Sequence, residues 1–311
     1  MKLLDNFNPK NSPRLFGLDE YFNFLKSIYV KQKFPKVILF TGEKGIGKFT
    51  LVCHLMHFIF DKKNYIEEKK TLNAESSFHN QFLNQMFPNI IYLNGSKSEG
   101  IKIDEVRLLK EQISKSSALN SHRFIIIDDV DNLNINSLNG LLKIIEEPTE
   151  NNFFILINNK SQNLLETIKS RCLEVKVILN KQNKIKITQN LIEYFNQNIF
   201  IKPDGTLTSP GNFVIYNYIL EKNKIDLSKN FLTNINLLIN LYKKEKNILY
   251  KKLIFYYTKY YLQELNKKKS KNKIEFLENT SSILKSIDEF FIHNLNQNTL
   301  LNSLKMKIHN D

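Results

Sequence analysis

Residues Phe40-Thr41-Gly42-Glu43-Lys44-Gly45-Ile46-Gly47-Lys48-Phe49-Thr50 directly continue the apolar run Val37-Ile38-Leu39-Phe40 and lead into a stretch of helical spacing. No other feature of the 311-residue chain constrains the fold as much as this strand–loop–helix order. Glycines at 42, 45 and 47 let the backbone wrap closely and turn its N–H groups inward. The helix behind them presents the positive end of its dipole, and Lys48 is placed to reach the outer phosphates of a nucleotide. The run matches the phosphate-loop pattern G-x-x-x-x-G-K-[ST] except at its last position. Phe49 stands there in place of the hydroxyl that normally binds magnesium, and Thr50 comes one residue late. Gly42, Gly45, Gly47, Lys48 and Thr50 are the candidate phosphate-binding residues.

A second apolar strand, Phe124-Ile125-Ile126-Ile127, runs into Asp128-Asp129-Val130-Asp131. Acids at such a strand end suit a Walker B site, with Asp128 placed to hold a metal through water. The next position usually carries a Glu that polarises the attacking water, and here it is Asp129. One methylene fewer withdraws the carboxylate by roughly an ångström, a misplacement that can cost about a hundredfold in rate.

Three further β-rich runs, Ile90-Ile91-Tyr92-Leu93, Phe153-Phe154-Ile155-Leu156-Ile157 and the weaker Leu173-Glu174-Val175-Lys176-Val177, alternate with helical patterns. Most of the five strand runs are continuous rather than alternating, as expected for a parallel sheet covered on both faces. Leu138, Leu141, Leu142 and Ile145 fall at helical spacing, and Pro148 ends that helix. Residues 61–80 show no clear period and read as a surface loop or a frayed helical insert. Residues 181–200 read as a helix rich in Lys and Asn. From about 225 onward the pattern is helical throughout, with polar breaks near 226–231 and 267–273. The aromatic-rich segment Ile248 to Leu265 reads better as a bundle core than as a base-stacking platform.

The formal charge of +14 suits a nucleic-acid partner. It is also what a Lys-, Asn- and Ile-rich coding bias would give, since Arg14, Arg107, Arg123 and Arg171 are the only arginines. Cys53 and Cys172 form neither a zinc half-site nor a disulfide framework, so a reducing cytoplasm is the expected compartment, with no zinc. No stretch approaches the roughly 20 apolar residues of a membrane helix, and Met1-Lys2-Leu3-Leu4-Asp5-Asn6 does not read as a signal peptide.

Asn139-Gly140-Leu141-Leu142-Lys143-Ile144-Ile145-Glu146-Glu147-Pro148, followed by a strand and then Ser170-Arg171-Cys172, resembles bacterial clamp-loader subunits of the AAA+ family. Those subunits carry a helix close to N-A-L-L-K-x-L-E-E-P and then S-R-C. Ile101-Lys102-Ile103-Asp104-Glu105-Val106-Arg107 is similar to the segment they place before the Walker B strand. The resemblance covers roughly residues 10–180. It implies an AAA+ P-loop NTPase module with a parallel five-stranded sheet over residues 1–178. A small helical lid over 179–223 and an all-α collar domain over 224–311 would follow. It also implies that Arg171 serves as an arginine finger acting in trans on a neighbour's ATP site. A surface salt bridge at a helix end is the plainer alternative for that residue. Asn159, after the strand ending at Ile157, aligns with the family's sensor 1 position.

Departures choose between family members. Phe49 and Asp129 weaken the ATPase parts, Asn212 follows Ser209-Pro210-Gly211 where motor subunits have an arginine, and no cysteine cluster exists. With Arg171 retained, the pattern is similar to the delta-prime type, a stator-like subunit that helps its neighbour hydrolyse ATP. The implied partners are gamma/tau-like motor and delta subunits in a hetero-oligomer, the sliding clamp indirectly, and primed DNA through phosphate contacts, with no membrane. The implied cofactor is ATP, with Mg2+ when bound; no metal ligand set is assigned. The alternative is a catalytically active AAA+ ATPase, a diverged gamma/tau-like motor, since Lys48, Thr50 and Asp128 are present. A small P-loop kinase is disfavoured because no Arg follows residue 171.

Overall fold

Strands β1 (Val37–Thr41), β4 (Ile90–Asn94), β5 (Arg123–Asp128), β6 (Asn152–Asn158) and β7 (Leu173–Lys176) form one sheet in the computed structural model, in the order β4-β5-β6-β1-β7. Every neighbouring pair is parallel. The structure describes residues 7–95, 101–114, 122–160, 162–226, 230–269 and 273–309. They divide into two compact units, Met1–Leu191 with Ser209–Asn212, and Ile192–Thr208 with Phe213–Asp311.

The continuous apolar runs have the expected cause. Side chains alternate between the two faces of a strand, so a strand covered on both faces must be apolar at every position. Ile38, Phe40, Phe124, Ile126, Ile155 and Ile157 face a core shared with Phe22 and Leu25 of α1 (Asp19–Val30) and Leu51 and Leu55 of α2 (Lys48–Phe60). Val37, Leu39, Ile125, Ile127, Phe154 and Leu156 face the opposite core. There they meet Val106 and Leu109 of α4 (Ile103–Ser114) and Leu138, Leu141 and Ile145 of α5 (Ile135–Glu146). Asn134 caps α5 by accepting the Ser137 N–H at 2.9 Å, a bond that satisfies one of the helix's orphan donors.

Residues 61–80 are more ordered than a loop. A 3-10 turn at Lys62–Asn64 leads into a two-strand antiparallel ribbon, β2 (Tyr65–Ile66) and β3 (Thr71–Leu72), followed by α3 (Ser77–Leu83). Tyr65 and Leu72 bury their side chains in the first core, which anchors the ribbon. A short helical turn, α6 (Glu166–Lys169), precedes β7. Helix α7 (Lys181–Tyr194) stops short of residue 200. Asn196 takes a left-handed φ of 48°, and the Gln197 N–H returns to the Ile192 carbonyl, which closes the helix.

The remaining helices are α8 (Pro210–Lys222), α9 (Phe231–Glu245), α10 (Ile248–Lys269), α11 (Lys273–His293) and α12 (Gln297–His309). The aromatic residues of α10 fill a bundle core: Tyr250, Tyr256 and Tyr257 are buried beside Leu253 and Ile254. Phe231 stacks on Tyr257 and Tyr261 with centroids 5.6 and 4.3 Å away. Among the described residues, no helix is long and apolar enough to cross a membrane.

Candidate functional site

The parallel register brings Thr41, Asp128 and Asn158 to the same end of the sheet, since Thr41 pairs with Asn158 and Asp128 with Ile157. The glycine-rich loop leaves β1 there. Gly45 and Gly47 have φ values of 86° and 102°, a region that side-chain-bearing residues rarely enter. Gly47 is the N-cap of α2, so the first turn of that helix directs its unpaired N–H groups at the loop's concavity.

Lys48 is buried and donates to the carbonyls of Gly42 and Glu43, both at 2.8 Å. Burial lowers its pKa to about 8, against the opposing pull of Asp128, Asp129 and Asp131. Asp128 is shifted the other way. Burial and then the neighbouring Asp129 charge raise its carboxyl to about 6. Asp129 turns off the strand with a left-handed φ of 53° and buries its carboxylate. Asn159 donates from Nδ2 to Asp129 Oδ1 at 2.7 Å and to Asp128 Oδ1 at 3.3 Å. Its backbone N–H donates to Asp131 Oδ1 at 3.0 Å. The candidate residues Gly42, Gly45, Gly47, Lys48, Asp128, Asp129 and Asn159 thus share one end of the sheet.

Several contacts at the site are not legible in the sequence, even where their residues, such as Ser209 to Asn212, are singled out there. Lys44, a variable position of the loop pattern, places its ammonium 2.9 and 2.7 Å from the two Asp129 oxygens. Ser209 Oγ and Asn212 Nδ2 donate to the Lys44 carbonyl at 2.7 and 3.1 Å, and the Gly211 N–H donates to the Gly45 carbonyl at 2.9 Å. A methyl group on Gly45 would lie 2.5 Å from Ser209 Oγ, so the close approach requires glycine. Lys184 of α7 pairs with Glu43 at 2.5 Å. These pairings join segments far apart in the chain, and no local pattern announces them.

Phe49 is nearly buried, its ring 5.2 Å from that of Tyr92 on β4. Thr50 lies one residue on, about 100° further round α2, and is half-buried. The loop backbone and Lys48 fit a polyphosphate. They fit magnesium poorly, because Phe49 supplies no oxygen where the metal's hydroxyl ligand belongs.

Arg171 is not part of this cluster. It precedes β7, whose Leu173 pairs with Ile38 at the start of β1 while Lys176 pairs with Thr41 at its end. At about 3.3 Å per residue, Arg171 is more than 10 Å from the loop end of the sheet. Its Nη2 lies 2.7 Å from Glu146 Oε1, and its Nη1 donates to the Thr167 carbonyl at 2.8 Å. Cys172 Sγ donates to the Ile168 carbonyl at 3.0 Å.

A glycine loop between strand and helix, an acid-ended neighbouring strand and an asparagine closing the next define a P-loop module of the AAA+ kind on this sheet order. More narrowly, the chain belongs to the family "DNA polymerase III, delta subunit", whose model matches residues 17–197, and within it is a delta-prime-like clamp-loader subunit. It is 30% identical over 146 residues to DNA polymerase III subunit delta' of Bacillus subtilis, covering 46% of this chain and 42% of that protein. It is 24% identical over 192 residues to subunit tau of the same organism, covering 60% of this chain and 33% of tau. The chain therefore spans less than half the length of these curated relatives. A crystal structure of a DNA polymerase III gamma subunit-related protein from Thermotoga maritima matches in fold with a TM-score of 0.51 at 18% identity. That match covers 92% of this chain and 98% of the other.

Proposed function

We propose that this chain is a stator-like member of a clamp-loading assembly, a poor or inactive ATPase that supplies Arg171 to the ATP site of a neighbouring subunit. One contrast carries the reading. At the loop end of the sheet, Lys44 already occupies Asp129 and Phe49 is turned into the core. At the opposite end, Arg171 is partly exposed and beyond reach of its own loop. A guanidinium offered to a γ-phosphate next door stabilises charge that develops in the transition state.

In this reading residues 1–178 are the AAA+ module, 179–223 a helical lid and 224–311 a collar domain. The partners are gamma/tau-like motor and delta subunits, with the sliding clamp engaged through the assembly. Primed DNA is met through its phosphates, by lysines and helix N-termini of the first module, without base readout. When ATP binds this chain, Gly42 to Lys48 hold the phosphates and Asp128 faces the metal side. Asn159 orients the two carboxylates. A second reading, an active motor-like ATPase, draws on Lys48 and Asp128 lying together in the site and on the similarity to tau.

Steady-state ATPase separates the two. The purified chain is expected to be silent alone. Mixed with motor and delta subunits, clamp and primed DNA, it is expected to support hydrolysis that Arg171→Ala cuts to a low but measurable rate. Robust turnover by the chain alone, lost in Lys48→Ala, would give the field to the motor reading.

A further inference from the structure

Glu146 is the last residue of α5, and Glu147 follows it. The carbonyl end of a helix is the negative end of its dipole, so a carboxylate there is locally unfavourable. Its partner Arg171 is 37% exposed and Glu146 43%, so water screens the pair and it returns little stability. Stability does not account for an acid at this position. Orientation does. Arg171 receives one acceptor from α5, Glu146 Oε1 at 2.7 Å from Nη2, and another from α6, the Thr167 carbonyl at 2.8 Å from Nη1. Ser170 Oγ lies 3.5 Å from the same Nη1. Two separate elements hold one planar guanidinium by its terminal nitrogens. Arg107, by contrast, pairs with Asp104 inside a single helix.

An arginine side chain has many rotamers, and fixing its fork beforehand reduces the entropy lost when it meets a phosphate. We propose that Glu146 is a positioning residue for Arg171, holding the guanidinium in the direction from which it reaches a nucleotide bound by the adjoining subunit. This rests on the trans role of Arg171 set out above.

The test is a double-mutant cycle in the assembled complex, reading kcat and KM for ATP. Glu146→Ala lowers kcat about tenfold, the scale of a positioning loss, and leaves KM within about twofold. Glu146→Gln keeps one acceptor oxygen and gives a smaller loss. Adding Glu146→Ala to Arg171→Ala costs nothing more, because the positioned group is already gone. Melting temperature and assembly are unchanged in both Glu146 variants. A kcat equal to or above wild type in Glu146→Ala, or losses that simply add in the double variant, overturns the positioning role while leaving the finger in place. If Arg171→Ala itself turns over like wild type, the trans reading fails and Glu146 has nothing to position.

Discussion

The ammonium of Lys44 lies 2.7 and 2.9 Å from the two carboxylate oxygens of Asp129, a residue 85 positions further along the chain. The acid's side chain is 2% exposed and the lysine's 41%. A carboxylate this deep needs a cation or several donors to remain charged. In this chain a neighbouring loop residue provides the cation, and Asn159 adds a hydrogen bond at 2.7 Å. The acid that a hydrolysing site would turn toward water is thus engaged from within.

This pairing makes the two partners unequal under mutation. Lys44→Met strands a buried charge with one amide donor. It should cost about 1–2 kcal/mol, less than for a fully buried pair because the lysine is half in water. Asp129→Asn removes the charge, returns the ammonium to solvent and keeps a residue type that tolerates the left-handed backbone. Its cost should stay below about 1 kcal/mol. Calorimetry reads the difference at about 2–4 °C per kcal/mol for a unit of this size. A melting temperature lower in Asp129→Asn than in Lys44→Met would contradict the assignment.

Phe49 sets core packing against metal binding. Phe49→Thr removes a ring packed on Tyr92 and should cost about 3 kcal/mol. The same change returns an oxygen to the metal's position. ATP affinity measured by titration calorimetry should then rise about tenfold with magnesium, which corresponds to about 1.4 kcal/mol, and the gain should vanish in EDTA. The unaltered chain should show little magnesium dependence. Equal dependence in the two proteins would mean that another group, Thr50 first among them, already binds the metal.

Two buried histidines should make the first unit labile in acid. His54 donates from Nε2 to the Ser12 carbonyl and accepts from Tyr65 OH at Nδ1, both at 3.2 Å. His57 donates from Nδ1 to the Cys53 carbonyl at 2.9 Å and accepts at Nε2 from His79 at 3.0 Å. Burial is the first cause that lowers them, His54 to about 3 and His57 to about 4. Unfolded histidines titrate near 6.5. Between about pH 6.5 and 4 the unfolded chain therefore takes up protons that the folded one excludes, and stability falls as pH drops through that window. The slope approaches about 1.4 kcal/mol per pH unit for each histidine. Asp128, raised by burial to about 6, works in the opposite direction over an overlapping range, as one group against two. Urea midpoints should hold above pH 7 and decline from pH 6 to 4.5. The decline should be shallower in a His54→Gln, His57→Gln chain, and a flat profile in the parent would discount the effect.

Legibility in the sequence followed the range of the interactions. Four of the five strands announced themselves because covering a strand on both faces forces a continuous apolar run, while the more exposed β7 gave only a weaker, alternating signal. The core face of α5 was equally plain, with Leu138, Leu141 and Ile145 at helical spacing and Pro148 beyond its end. The ribbon joining Tyr65 to Leu72 was missed because two-residue strands carry no period. The end of α7 was misplaced because a left-handed Asn196 in an Asn-rich stretch looks like its neighbours. At the site, the glycines, Lys48 and Asp128 follow from a local pattern. The grip of Lys44 on Asp129 and of Asn212 on the Lys44 carbonyl does not, since each spans a long loop and uses residue types common on any surface. Glu146 was in view as part of a helix motif, but its partner Arg171 is reached only through the fold.

Because all five strands run the same way, the module has a direction, like an arrow. Its head gathers the phosphate loop, Asp128 and Asn159, and Arg171 rides near its tail. A contact that sets the head of one such module against the tail of the next is heterologous, and repeating it builds a ring or an open row. On the proposed function, a copy whose water-activating acid is held by its own lysine still offers Arg171 from its tail, so it can give to a neighbour's site without turning over its own.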